Sequence, residues 1–280
     1  MTALVRAPAK LTLSLRVLGT RPDGFHELEA LTVSLESPCD DLELTAVDGT
    51  PRVTLSVDGA DDDVPDDERN LVARAVREAA PGTAARVQLR KQIPAGAGLG
   101  GGSSDAAAAL RWLRDECDVS PARIADVAAS LGSDVPFCID GGPAWMRGRG
   151  EVLEPVSLDG PLHVLVAVPP WRLSTPAVYR AWDELGAPVS RRTAPAPPSI
   201  SHLVEELRND LEPAAERVEP RLAGFRQQLE AITEAPALLA GSGSACWTAV
   251  PDPQAGAALV ARVHAELPEA TLFEGGVHTG

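Results

Sequence analysis

Lys91-Gln92-Ile93-Pro94-Ala95-Gly96-Ala97-Gly98-Leu99-Gly100-Gly101-Gly102-Ser103-Ser104-Asp105 is the stretch on which the reading of this chain turns. Five of the seven positions from Gly96 to Gly102 are glycine, so the backbone can turn tightly and approach a ligand closely. Ala85 to Lys91 reads as a strand leading into the loop. An alanine-rich helix from about Ser103 to Glu116, with Ser103 or Ser104 as N-cap, leads out of it. A helix start offers free N–H groups and the positive end of a dipole, and phosphate is their natural guest. A merely solvated loop is the bland alternative, but one of this length seldom joins a clear strand directly to a capped helix. The Walker A pattern fails because no lysine follows the glycines. Gly96, Gly98 and Gly101 satisfy G-x-G-x-x-G, yet Asp115 and Glu116, the acids about 20 residues on, end the same helix and cap no second strand.

Outward from the loop, strands and helices mix without regular alternation. Leu11, Leu13, Leu15 and Val17 alternate with polar residues as in a half-buried strand, and Leu28 to Leu35, Asp41 to Thr45 and Arg52 to Val57 read as further strands. The acidic run Asp58 to Glu68 reads as a solvated loop and Asn70 to Ala80 as a helix. Pro121 to Leu131 is a second helix, stopped by Gly132 and followed by Ser133-Asp134-Val135-Pro136-Phe137. Beyond residue 155 come a strand at His163 to Val168, a helix from Thr175 to about Leu185 and a long loop at Gly186 to Ser199. Helices at Ile200 to Arg208, Pro213 to Val218 and Pro220 to Ile232 follow. Short strands flank Gly241-Ser242-Gly243-Ser244, and Gln254 to Leu267 is a last helix. The expected class is α+β in two lobes, residues 1–155 and 156–280.

Composition narrows the function classes. Forty acidic residues against twenty-five basic ones leave a formal charge of -15, which disfavours nucleic acid or an anionic membrane as partner. No apolar run approaches the roughly 18 residues of a membrane span, and the N-terminus lacks a signal-peptide core. Cys39, Cys117, Cys138 and Cys246 are scattered without C-x-x-C pairing, so neither zinc nor a disulfide framework is expected. A cytoplasmic protein, monomeric or weakly dimeric, is the expectation. Of the basic residues only Lys10 and Lys91 are lysines.

Pro94 to Ser104 closely resembles the phosphate loop of the GHMP small-molecule kinases. Ala7-Pro8-Ala9-Lys10-Leu11-Thr12-Leu13, Pro22-Asp23-Gly24-Phe25-His26-Glu27-Leu28 and Gly132-Ser133-Asp134-Val135-Pro136-Phe137 resemble segments of the branch that acts on a cytidine-diphosphate-linked methylerythritol. Ser174-Thr175-Pro176, Asn209 to Glu212 and Gly241 to Ser244 are weaker matches in the same order. The resemblance implies a two-lobed GHMP-kinase fold with its site in the cleft between lobes, ATP as co-substrate and Mg2+. It implies that Asp134 accepts the proton of the attacking hydroxyl and that Lys10 orients it, which suits a reaction run by positioning and electrostatics. Pro94, Ala95, Gly96, Ala97, Gly98, Leu99, Gly100, Gly101, Gly102, Ser103 and Ser104 would hold the ATP phosphates. Lys91, Asn70 and Leu71 would lie near adenine, and the Ser104 hydroxyl would touch the metal. Phe25 would stack on cytosine, His26 would hydrogen-bond it, and Thr12 and Thr175 would face the substrate. Two positions depart from the family, which usually has tyrosine at position 25 and asparagine at position 12. Two alternatives remain: another GHMP kinase, of homoserine or mevalonate type, or a silent ATP-binding sensor of the same fold.

Overall fold

The computed structural model describes residues 2–59, 64–190 and 207–279. The helix expected from residue 200, most of the long loop from residue 186, and part of the acidic run lie outside these residues. The chain groups into two compact units, one of Met1–Lys10, Pro38–Ala95 and Gly100–Gly141, the other of Leu11–Ser37, Gly96–Leu99 and Gly142–Gly280. Strands β1 (Thr2–Thr20) and β2 (His26–Val47) run through both.

In the first unit, the Asp41–Val47 half of β2 pairs antiparallel with β4 (Ala84–Arg90), and β4 pairs in parallel with β3 (Val53–Asp58). Parallel neighbours need a crossover, supplied here by α1 (Leu71–Ala79). Asn70 caps α1 by accepting from the Val72 N–H at 2.9 Å. Helices α2 (Gly101–Glu116), α3 (Pro121–Leu131) and α4 (Val135–Asp140) complete the unit, and α1, α3 and α4 all pack on α2. Ala106, Ala107, Ala108 and Ala109 are all fully buried, because methyl side chains let neighbours close on every side of α2.

In the second unit, Leu28–Thr32 of β2 pairs antiparallel with β5 (Ala144–Gly148), which pairs with β6 (Val152–Pro155). A four-stranded antiparallel sheet has the order β10 (Thr271–Gly276), β7 (His163–Val168), β9 (Cys246–Val250), β8 (Leu238–Leu239). Helices α5 (Thr175–Glu184), α6 (Glu212–Val218), α7 (Arg221–Thr233) and α8 (Pro253–Glu266) belong to this unit. The half-buried strand expected near Leu11 is instead buried on both faces: Thr12 and Ser14 are 4% and 6% exposed. Strands β5, β6 and β10 were not foreseen. Ala144, Trp145 and Met146 are consecutively buried, so β5 has no alternation to read.

Candidate active site

In the first unit the Lys10 ammonium lies 3.5 Å from the Asp134 carboxylate. Asp134 sits at the N-cap of α4, yet its side chain makes no capping bond there. Its carboxylate is therefore not consumed by its own helix, and the side chain keeps 37% of its exposure against 9% for Lys10. One turn further on, burial first and the Asp134 charge second push the Cys138 thiol up to about 12. That thiol stays protonated and is no nucleophile.

The start of α2 differs from the expected serine cap. Gly100, at φ 69° in the left-handed region, is the N-cap and offers no side chain to the helix. A Cβ there would lie 2.6 Å from Lys10 Cγ, so the turn closes directly on the stem of that lysine. The first intrahelical bond runs from the Ser104 N–H to the Gly100 carbonyl at 2.9 Å. The amides of Gly101, Gly102 and Ser103 thus precede the helical ladder and face no capping side chain. Uncapped amides behind a glycine turn fit the oxygens of a phosphate. Ser104 is fully buried, and its hydroxyl donates to the Pro8 carbonyl at 2.7 Å, tying α2 to β1. Among the described residues no group of three or more His, Cys, Asp or Glu side chains could hold a metal ion.

Lys91 has two acidic partners in the interior. It is buried, and its ammonium pairs with Asp105 at 2.7 Å and with Asp40. Asp40 also accepts from the Gln92 and Ile93 N–H groups, at 2.5 Å and 2.9 Å. Burial works to lower the Lys91 pKa, but the charges of Asp105 and Asp40 outweigh it and the net direction is up. Burial works to raise the Asp105 pKa, and its Lys91 partner opposes that. The cluster joins the strand that enters the glycine loop to the helix that leaves it. Asn70 is likewise committed: its amide cap on Val72 is matched by a bond from Nδ2 to the Pro65 carbonyl at 2.7 Å. Both side chains expected near adenine, Lys91 and Asn70, are thus engaged by partners within the fold.

In the second unit Gly96–Leu99 rests on the turn from Ala240 to Ala245. The Ala245 N–H donates to the Ala97 carbonyl at 3.0 Å. A Cβ on Gly98 would stand 2.2 Å from the Ala240 carbonyl oxygen, and one on Gly96 would stand 3.2 Å from Cδ of Arg172. Asn209 braces the turn from below, donating to the carbonyls of Leu239 and Gly241 at 2.8 Å and 2.6 Å. Thr175, at the start of α5, shares a 2.7 Å hydrogen bond with Ser242 of the same turn. Thr12 is buried in this unit.

Phe25 is 51% exposed, and the Arg149 guanidinium lies over its ring at 4.7 Å. A large ring left half in water beside a cation is suited to stacking on a planar ligand. His26 is held more firmly than the sequence suggests. Its Nε2 lies 2.9 Å from Asp183, its ring stacks on Tyr179 at 4.7 Å, and Trp182 meets it edge-on at 5.2 Å. All three partners come from α5. Sequence reasoning passed over them, although Tyr179 is the chain's one tyrosine and residues 179, 182 and 183 have the i, i+3, i+4 spacing of a single helix face. Arg149, Asp40 and Asp105 carried no comparable signal, because their partners are distant in sequence or make sense only once the strands are paired.

The model of the GHMP kinases N terminal domain matches residues 70–142. A 4-diphosphocytidyl-2-C-methyl-D-erythritol kinase of Cutibacterium acnes (strain DSM 16379 / KPA171202) is 39% identical, with 96% of this chain and 92% of that protein covered. The protein of the same name in Pelotomaculum thermopropionicum (strain DSM 13744 / JCM 10971 / SI) is 41% identical, covering 87% of this chain and 86% of its own. A crystal structure of 4-(cytidine 5'-diphospho)-2C-methyl-D-erythritol kinase, 33% identical, superposes with a TM-score of 0.80 and full coverage of both chains. A homoserine kinase from Cytophaga hutchinsonii, at 17% identity, TM-score 0.73 and 99% and 95% coverage, shares the fold. With this identity over nearly its whole length, the chain belongs to the 4-diphosphocytidyl-2-C-methyl-D-erythritol kinase family of the GHMP kinases.

Proposed function

We propose that the protein transfers the γ-phosphoryl group of ATP to the 2-hydroxyl of 4-diphosphocytidyl-2-C-methyl-D-erythritol, a step of non-mevalonate isoprenoid precursor synthesis. The observation that carries the chemistry is the Lys10–Asp134 pair, a carboxylate partly open to solvent beside an almost enclosed ammonium. The 2-hydroxyl oxygen forms the new bond to the γ-phosphorus as the bond to the bridging oxygen of ADP breaks, and Asp134 takes the hydroxyl proton. Lys10 orients that hydroxyl and offsets the charge of the transferring group. The amides at the start of α2, with the glycines before them, hold the phosphates, while residues 1–155 and 156–280 act as the N- and C-terminal kinase domains. Mg2+ bound with ATP supplies the charge neutralisation that a chain at -15 does not provide globally. With its hydroxyl donated to Pro8, Ser104 serves to fix the helix start.

Phe25 and His26 recognise the base. A substrate without a nucleobase needs neither, and this separates the reading from a homoserine- or mevalonate-type kinase. Replacing His26 with alanine is expected to raise KM for the cytidine substrate about tenfold or more, the effect of one lost buried hydrogen bond and its stack, while KM for ATP stays put. Steady-state kinetics check it. An unchanged KM for the cytidine substrate would count against base recognition by this pair.

A further inference from the structure

We infer that Arg111 is a positioning residue for the phosphoryl transfer: from the middle of α2 its guanidinium ties the strand that carries Lys10 to the short helix that carries Asp134, and so sets the spacing of that pair. The inference rests on the roles given to Lys10 and Asp134 above and adds the residue that holds them in place.

Among the described residues, every hydrogen bond of the Arg111 side chain goes to a main-chain carbonyl. Nη1 donates to Cys138 at 2.7 Å and to Ile139 at 3.4 Å, and Nη2 donates to Arg6 at 2.6 Å. Arg6 lies on β1, four residues before Lys10, and Cys138 lies on α4, four residues after Asp134. The Cys138 N–H donates in turn to the Asp134 carbonyl at 3.2 Å, so two hydrogen bonds lead from the guanidinium to the backbone of the proposed base. The last carbonyls of a helix have no partner within it. With six residues and no side-chain cap at its N-terminus, α4 has little of its own to fix it, and Arg111 supplies the anchor at its other end.

On the strand side α2 grips β1 twice. Ser104, two turns before Arg111 on the same face, donates to the Pro8 carbonyl at 2.7 Å. The neighbours of Arg111 on α2 are apolar, with Ala107, Ala108, Leu110 and Trp112 all buried. Burial accordingly pulls the Arg111 pKa down, although a guanidinium stays charged in a protein. A leucine would fill such a place without that desolvation. What the arginine adds is a planar fork that reaches two separate elements at once, which the single ammonium of a lysine cannot copy. Small displacements of reacting groups are costly: about 1 Å can lose about 10²-fold in rate.

The experiment compares the wild type, Arg111→Lys, Arg111→Ala and Arg114→Ala, with Arg111→Lys also placed in the Asp134→Asn background. Steady-state kinetics with ATP and the cytidine substrate are run beside thermal melts. Arg111→Lys should lower kcat about tenfold or more and Arg111→Ala about 10²-fold, with both KM values within about threefold of wild type. Arg114, on the same helix, bonds the exposed Asp115, and its alanine variant should stay within about twofold in kcat. Because Arg111 acts through the pair, its lysine variant should cost less than about threefold once Asp134 is already asparagine. Lysine keeps the charge and most of the stem, so it carries the test should alanine not fold. A kcat within about twofold of wild type in Arg111→Lys, or a full tenfold loss persisting in the Asp134→Asn background, would overturn the inference. So would a loss of turnover that the melts trace wholly to unfolded protein. A wild type without turnover, or an Asp134→Asn protein as fast as wild type, would instead sink the reading on which the inference rests.

Discussion

The Asp134→Asn protein is expected to fold, to bind ATP as the wild type does, and to turn over about 10²–10⁴ times more slowly, the usual contribution of a positioned general base. Asparagine matches the carboxylate in shape but cannot take a proton. Asp134 makes no cap bond to α4, and its ion pair with Lys10, at 3.5 Å, is partly exposed, so removing the charge costs the fold little. The consequence should fall on kcat rather than on KM for either substrate. Single-turnover kinetics beside a thermal melt separate the two effects, and near-normal turnover would show that the hydroxyl proton goes elsewhere. Lys10→Ala would complicate this test, because Gly100 closes on the Lys10 stem and a cavity would open beside the helix start.

Gly98→Ala should do comparable damage by a different route. Gly98 has φ +82°, where a side chain costs about 1–2 kcal/mol, and its Cβ would fall 2.2 Å from the Ala240 carbonyl, a backbone atom that cannot swing aside. The loop must then leave the turn that supports it. A destabilisation of about 2–4 kcal/mol and a loss of ATP affinity of tenfold or more are expected. Gly102→Ala is the matched control. Gly102 lies in the first turn of α2, without positive φ, and the nearest atom to its Cβ would be Leu71 Cδ1 at 3.6 Å. That variant should melt at or above the wild-type temperature, since alanine favours helix. Equal behaviour of the two variants would mean that backbone geometry at Gly98 does not shape the loop.

The sequence was most legible where the chemistry is local. The glycine run, the alanine helix after it and the α3 boundaries at Pro121 and Leu131 all follow from neighbouring residues. It was least legible where a side chain's partner lies far along the chain. Lys91 illustrates this: nothing near it in sequence announces that Asp40, 51 residues away, is its partner in the interior. His26 shows the same limit in the other direction, because its environment comes from α5, 157 residues on at Asp183. The N-cap of α2 was misplaced because serine is the commoner cap, while here a glycine must sit against Lys10.

The central claim is tested most directly by ADP release from ATP and magnesium with 4-diphosphocytidyl-2-C-methyl-D-erythritol, homoserine, mevalonate or galactose as acceptor. The predicted result is release well above background with the cytidine-linked alcohol only, slowed about 10²–10⁴-fold in the Asp134→Asn protein. Preferential release with homoserine, mevalonate or galactose, or none with any acceptor, would contradict it.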